Sequence, residues 1–579
     1  MTLGDRWITD WEQSERLPYY TRANAGEVLN GPVSPLGWTL VFEEGVTPGW
    51  ARGFVDYGIY REGELPDHQP GFHGLFGGYY YIGLSHMRLW GLRAGGTVEA
   101  IDRAQLGAHP DTPPYHPHPD DECPECTERI GQTMAWIMSA EDYPEAREDR
   151  DLADAARRER PDLTALSDQE LVERARSIIP LVDRFFHRHI LSSAAAAVGP
   201  GILEEICAHV GRGETLLELL SGLGEVDSAL PSWGLWDLSR RVRASAELTQ
   251  LFDAGVPAVA AAIRDDGATG AVAELRTAFA EFLRAYGSRG PNEFDIREPT
   301  WETRPELALT LVDTVRRSGD EDAPALRRER LQQRRAALVE ELRERLTDPA
   351  ELKRFEDALR SAQVFLPARE RTKSNIIKAI HEVRVAVLEL GRRGVEAGRL
   401  ADPADVTMLM SGELDEYVAD PDRFTDVIRE RLADYRELWD LEPPFIIADK
   451  VPPLGEWARR DGSRREPAAV GAVLEGVGGC AGTHQGTARV VLSPDGADAL
   501  QPGDVLVAPH TDPAWTPLFL TAGAVVVGVG GRNSHAVIIS RELGIPCVVS
   551  VTGATELVPD GATVTVDGAA GAVVIEAAA

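Results

Sequence analysis

Gly530-Gly531-Arg532-Asn533-Ser534-His535-Ala536-Val537-Ile538-Ile539-Ser540-Arg541-Glu542-Leu543-Gly544-Ile545-Pro546 is the stretch on which the reading of this chain turns. An apolar run, Val525-Val526-Val527, enters a glycine turn, and Ser534 stands where a helix N-cap belongs. About two helical turns follow, Gly544 closes them, and Pro546 leads into another strand-like run. Strand, glycine turn, short helix and strand make an α/β pattern. His535 then falls in the first turn of the helix. Unpaired backbone N–H groups and the positive end of the helix dipole disfavour a protonated ring there and suit an attached anion. Gly530 and Gly531 let a phosphate approach the backbone closely, and with Ser534 they form a candidate phosphate loop. A neutral imidazole in that setting is a nucleophile suited to reversible group transfer near neutral pH.

The same short-segment character extends over residues 476–579. Strands are expected at Thr487–Leu492, Asp504–Ala508, Ala524–Gly528, Pro546–Val551 and Thr563–Val566, with helices near Pro517–Ala522 and Ser534–Leu543. Gly476-Val477-Gly478-Gly479 reads as the turn entering this small α/β domain, since no Lys follows it to make a nucleotide loop. Residues 441–475 read as a flexible linker, with five prolines and the charged patch Arg459-Arg460-Asp461-Gly462-Ser463-Arg464-Arg465. Residues 126–440 read as helical. Leu171, Ala175, Ile178, Ile179 and Val182 recur at helical spacing, and Ala325–Leu346 is almost all strong helix formers behind Pro324. Residues 1–125 are rich in Trp, Tyr, Gly and Pro, which predicts loops, short helices and a small sheet around Gly77–Ile82. The fold class is therefore multidomain: a mainly α-helical region over 1–440 with a loop-rich lobe at 1–125, a linker, and an α/β domain.

The chain of 579 residues is 43% hydrophobic and 26% charged, a globular composition, and its 60 basic against 93 acidic residues give a formal charge of −33. Such a surface repels nucleic acid and anionic lipid, so neither is expected as a partner. No stretch reaches ~18 uncharged apolar residues, and the start Met1-Thr2-Leu3-Gly4-Asp5 has no secretory pattern. A cytoplasmic protein is expected. Five cysteines argue against a disulfide framework. His109, His116, His118, Cys123 and Cys126 crowd one short segment; Cys-x-x-Cys suits zinc spacing, and His116 and His118 could complete a tetrahedral site.

Gly-Gly-x-x-Ser-His-Ala-x-x-x-x-Arg-Glu-Leu-Gly-Ile-Pro resembles the phosphohistidine motif of the phosphoenolpyruvate-utilising enzymes, which include phosphoenolpyruvate synthase, pyruvate phosphate dikinase and rifampin phosphotransferases. Gly503–Ala508 and Thr511-Asp512-Pro513-Ala514-Trp515-Thr516-Pro517-Leu518 look like the lead-in of the same mobile, swivelling domain. One departure is Asn533, where the family commonly has a threonine that is regulatory in some members. Asn24–Trp38, Leu220-Ser221-Gly222-Leu223, Tyr286–Asp295 and Arg369-Glu370-Arg371-Thr372-Lys373 are similar, in the same order, to segments of the rifampin phosphotransferase substrate domain.

The resemblance implies that His535 carries a phosphoryl group to a hydroxyl of a small-molecule acceptor. Arg369 and Lys373, four apart on one helix face, would face that group, and Asn24, Glu27 and Arg289 would line the acceptor site. Read without the family, Arg369 would instead belong to a surface ion-pair array with Glu370, and the other three residues would cap turns. ATP with Mg2+ is the implied donor. The substrate-domain resemblance starts near residue 24, so the ATP-grasp domain usual in the family is expected on a separate protein, as phenylphosphate synthase distributes its parts over subunits. Two alternatives stand beside this reading. In one, as in prodigiosin-forming synthetases, the phosphate leaves an activated intermediate of a condensation or dehydration. In the other, the chain is a non-catalytic phosphohistidine sensor or carrier.

Overall fold

A computed structural model describes residues 7–106, 109–223, 226–320, 323–448, 450–460, 466–493, 500–512, 515–531 and 534–578. Asn533, Pro513, Ala514 and most of the charged patch, residues 461–465, lie outside the described residues. The chain makes two compact units, one of residues 1–198, 294–298 and 371–463, the other of residues 199–293, 299–370 and 464–579. Two long helices, Asp168–His209 and Pro349–Glu396, contribute residues to both, so the helical region is shared.

In the first unit the expected small sheet is present, with strand order His73–Phe76, Tyr79–Gly83, Tyr20–Thr21, Ile446–Ile447. Its hairpin turns at Gly77 and Gly78, both at positive φ, which a two-residue turn matched to strand twist requires. Tyr20 pairs with Ile447. Leu441–Glu442 pairs with Ala458–Arg459, and Leu454 and Trp457 are buried. Among the described residues of 441–460, the pieces Leu441–Glu442, Ile446–Ile447 and Ala458–Arg459 are strand-paired in this unit. The prolines there break regular structure without freeing the chain, because aromatic and aliphatic side chains between them are buried.

The helix Asp168–His209 buries Leu171, Ala175, Ile178, Ile179 and Val182 as the periodicity predicts. Among the described residues it is the one helix long and apolar enough, by length and composition, to cross a membrane. Half of that apolar window is buried inside the protein, as in a core helix.

The second unit holds an eight-stranded sheet in the order Val473–Glu475, Ala572–Ala577, Thr563–Asp567, Thr483–Val490, Val505–Ala508, Ala524–Val527, Cys547–Val549, Val477–Cys480. Thr483–Val490, Val505–Ala508, Ala524–Val527 and Cys547–Val549 run parallel, and the remaining pairings are antiparallel. Val505–Ala508 and Ala524–Val527 are buried on both faces, which explains their uninterrupted apolar runs. The segment read as an entering turn is a strand: Val477–Cys480 pairs with Cys547–Val549, because glycines on an edge strand permit close backbone approach. A short helix, Ala554–Leu557, also went unforeseen. The helix expected over Ala325–Leu346 spans Pro324–Arg345, with Arg343–Glu340 and Arg345–Glu341 pairs on its exposed face and Leu331, Leu338 and Leu342 buried.

Candidate active site at His535

Two crossovers build the site. After strand Val505–Ala508 the chain passes through Thr511 and Asp512 into the helix Thr516–Thr521; after strand Ala524–Val527 it passes through Gly530 and Gly531 into the helix His535–Leu543. The two strands are parallel neighbours, so both loops emerge at the same carboxyl edge of the sheet, where such folds place ligands. This gathers Thr511, Thr516 and His535, although they lie up to 24 residues apart in sequence.

His535 is the first residue of its helix and is 8% exposed. Its Nδ1 lies 3.1 Å from the Thr511 hydroxyl and its Nε2 lies 2.9 Å from the Thr516 hydroxyl. Phe519 packs edge-on against the ring. A hydroxyl both donates and accepts, so the pair serves either neutral tautomer: one threonine accepts the ring N–H and the other donates to the lone pair. Gly544, at φ 65°, ends the helix as expected.

Ser534 occupies the N-cap position, but its side chain does not cap the helix. Its hydroxyl is buried and has no hydrogen-bond partner among the described residues. That leaves a donor beside His535 and an uncapped helix start facing the loop. A Cβ at Gly530 would lie 3.1 Å from the Ser534 hydroxyl, so a side chain would crowd it; at Gly531 there is open space. Gly530 therefore protects the loop's packing, while Gly531 leaves its outer side clear.

Asp512, next to Thr511, accepts a 3.1 Å hydrogen bond from the backbone N–H of Asn292. Asn292 has φ 50°, a left-handed conformation that a non-glycine residue adopts at some cost. Beside it Arg289 pairs with Glu293 at 3.2 Å, both side chains being at most 5% exposed. The Ser288–Glu293 loop thus packs against the Thr511 loop. Thr511, Asp512, Thr516 and Asn292 were not singled out as site residues from sequence, although the first three lie in the lead-in motif and Asn292 in the Tyr286–Asp295 segment.

The other expected residues are distributed. Arg369 donates to Glu370 at 2.6 Å and belongs to the second unit. Lys373, on the same helix, belongs to the first, with its ammonium 5.8 Å from the Phe294 ring centre. Pro367 lies inside that helix two residues before Arg369, where it removes an intrahelical hydrogen bond. Asn24 sits at the N-cap of Ala25–Val28 without a side-chain cap bond, and Glu27 lies in that helix's first turn. Both are in the first unit, whereas Arg289 is in the second, so the three are not gathered within one unit.

The zinc expectation needs correction. Cys123 and Cys126 are joined as a disulfide at the start of the helix Pro124–Ser139, so no thiolate pair remains for a metal. His118 caps a helical turn by accepting from the Asp120 backbone N–H. Among the described residues no cluster of His, Cys, Asp and Glu could hold a metal ion.

Thr516→Val, nearly isosteric, removes the hydroxyl that faces Nε2 of a buried ring. The expected loss is roughly 1–2 kcal/mol of unfolding free energy, read by denaturant melts, together with a changed 15N tautomer signature of His535. Unchanged ring shifts would mean that the hydroxyl does not hold the imidazole.

The far end of the same helix carries Glu542, half-buried, whose carboxyl burial pushes up to about 7 despite Arg541 and Arg328 nearby. Its folded-state value lies above its ordinary one, so the native state binds the extra proton. Its contribution is fully present below pH ~4.5 and is lost as pH rises through about 7. Glu542→Gln is expected to match the parent near pH 5 and to exceed its stability above pH 8 by on the order of 3 kcal/mol. A variant less stable than the parent at pH 8 would contradict this.

Comparison with known proteins gives two family matches: residues 188–370 match the rifampicin phosphotransferase fourth domain, and residues 500–571 match the mobile domain of PEP-utilising enzymes. A rifampicin phosphotransferase of Streptomyces sp is 36% identical over 304 residues, 52% of this chain and 34% of that protein. One of Bacillus subtilis is 31% identical over 309 residues, again 52% of this chain and 34% of that protein. An uncharacterized protein of Mycobacterium tuberculosis is 34% identical over 298 residues, 52% of this chain and 31% of that protein. The chain spans about a third of the length of these relatives. The sequence resemblance is thereby supported from both sides of the second unit: its helical residues match a rifampicin phosphotransferase domain, and His535 lies within the match to the PEP-utilising mobile domain.

Proposed function

We propose that this chain is a phosphohistidine phosphotransferase: His535 accepts a phosphoryl group and passes it to a hydroxyl of a small-molecule acceptor. The observation that carries this reading is the setting of His535. Its ring nitrogens face Thr511 and Thr516 at the open start of a helix, beside the Ser534 hydroxyl, which has no partner among the described residues. The nitrogen lone pair attacks phosphorus, the phosphorus–oxygen bond to the donor breaks, and a phosphorus–nitrogen bond forms. The other nitrogen keeps its proton, held by a threonine hydroxyl. The helix N–H groups and Ser534 then stabilise the new oxyanion. In the second step the acceptor oxygen attacks phosphorus, the phosphorus–nitrogen bond breaks, and the acceptor's proton is released.

Arg369 and Lys373 neutralise charge on the group in transit, and Asn24, Glu27 and Arg289 contact the acceptor. The phosphoryl group comes from ATP, loaded with Mg2+ by a separate ATP-grasp protein in the cytoplasm. The family matches and the relatives named rifampicin phosphotransferases support the phosphotransfer chemistry.

Intact-protein mass spectrometry tests the loading step. With ATP and an ATP-grasp partner the chain is expected to gain one acid-labile phosphoryl group. Phosphorylation of the chain by ATP alone would remove the separate loading protein from the reading.

A further inference from the structure

Arg541 is the anomaly of the second unit. It is 4% exposed, yet it forms no hydrogen bond or ion pair with any described residue. A guanidinium carries five donors and stays charged, so burying one without an acceptor is costly. Burial lowers its pKa from the ordinary value, with Glu542 the largest opposing influence.

Arg541 lines a small, partly open cleft of about 20 Å³, together with Arg369, Glu370 and Glu542. Leu220 and Leu223, from the Leu-Ser-Gly-Leu motif, and Ile538 supply apolar wall. Arg369 is engaged with Glu370 at 2.6 Å, and the Glu542 carboxyl is raised to about 7 by burial. Below that pH the cleft therefore holds one positive charge in excess, set against aliphatic surface. Arg541 lies six residues beyond His535 on the same helix, about 9 Å along its axis, and His535 is not among the lining residues.

We propose that this cavity is a binding site for a small carboxylate, gripped by Arg541 with Arg369 beside it. Two carboxylate oxygens match the fork of Arg541, and the carbon end rests on Leu220, Leu223 and Ile538. One negative charge balances the single excess positive charge. Orthophosphate fits less well, because its further oxygens would face the aliphatic wall without partners. Occupancy would tie the His535 helix to the Arg369 helix and the Leu220–Leu223 segment.

The test is thermal unfolding of the full chain at pH 6 in acetate against chloride at equal ionic strength, for the parent, Arg541→Gln and Arg541→Lys. Acetate is expected to raise the parent midpoint saturably by about 2 °C, Arg541→Lys to keep part of the shift, and Arg541→Gln to lose it. Arg541→Gln in chloride is expected to melt no lower than the parent, since a buried charge without a partner has been removed. Three results would each overturn the proposal: no acetate-specific shift in the parent, a full shift in Arg541→Gln, or a lower Arg541→Gln midpoint in chloride, which would mean that the guanidinium is satisfied within the fold. A larger shift with orthophosphate than with acetate would overturn the carboxylate assignment.

Discussion

His535→Gln is expected to abolish phosphoryl acceptance and to lower turnover by at least about 10³-fold, while leaving the fold intact. The glutamine amide has one donor and one acceptor end, so it can bond the Thr511 and Thr516 hydroxyls that the imidazole engages at 3.1 and 2.9 Å. An amide nitrogen has no available lone pair for attack on phosphorus. Structure and chemistry thus separate cleanly in this variant. Circular dichroism and denaturant melts should match the parent, and steady-state transfer should fall to background. A variant that keeps more than a tenth of the parent rate would mean that His535 is not the carrier, whatever its surroundings.

Gly568→Ala is expected to produce the largest loss of stability from a single methyl group in the C-terminal sheet. A Cβ at this position would lie 1.8 Å from the carbonyl oxygen of Cys480 and 2.8 Å from the backbone nitrogen of Cys547. Both contacts are with backbone of paired strands, Val477–Cys480 and Cys547–Val549, so no rotamer change relieves them. Gly568 also donates its N–H to the Gly482 carbonyl at 2.9 Å, which holds it in place. Moving the Val477–Cys480 strand would disturb the His535 helix, because Gly479 lies close under Val537. A loss of at least about 3 kcal/mol is expected, measured by urea unfolding. A loss below about 1 kcal/mol, within the range of ordinary surface changes, would mean that these strands can part without cost.

The parallel core of the C-terminal sheet was legible because its chemistry is local. Val505–Ala508 and Ala524–Val527 are continuous apolar runs bounded by Gly, Pro and Asp, and the helix at His535 carries its own stop at Gly544. The edge strand Val477–Cys480 was not legible, since two adjacent glycines carry no side-chain alternation and only their partner at Cys547–Val549 makes them a strand. Residues 441–460 looked like a linker for a related reason. Their prolines mark breaks in regular structure, but nothing in the local sequence says that Leu454 and Trp457 are buried.

At the site, His535 stood out from its motif, whereas Thr511 and Thr516 did not, because their role depends on two neighbouring crossovers returning to one sheet edge. Asn292 lies in the Tyr286–Asp295 segment, but nothing in the sequence marks its backbone conformation. Its left-handed backbone and its bond to Asp512 join segments 220 residues apart. The Cys-x-x-Cys spacing was ambiguous by nature, since the same two sulfurs serve a metal or each other.

The most direct measurement is mass-spectrometric mapping of the phosphorylated residue after the full chain has been loaded with ATP and an ATP-grasp partner, with digestion kept at alkaline pH to preserve phosphohistidine. The expected result is a single acid-labile phosphoryl group on the peptide containing His535, which disappears when a hydroxyl acceptor is turned over. A phosphoryl group on any other residue, or none on His535 with either ATP or phosphoenolpyruvate as donor, would contradict the phosphohistidine assignment.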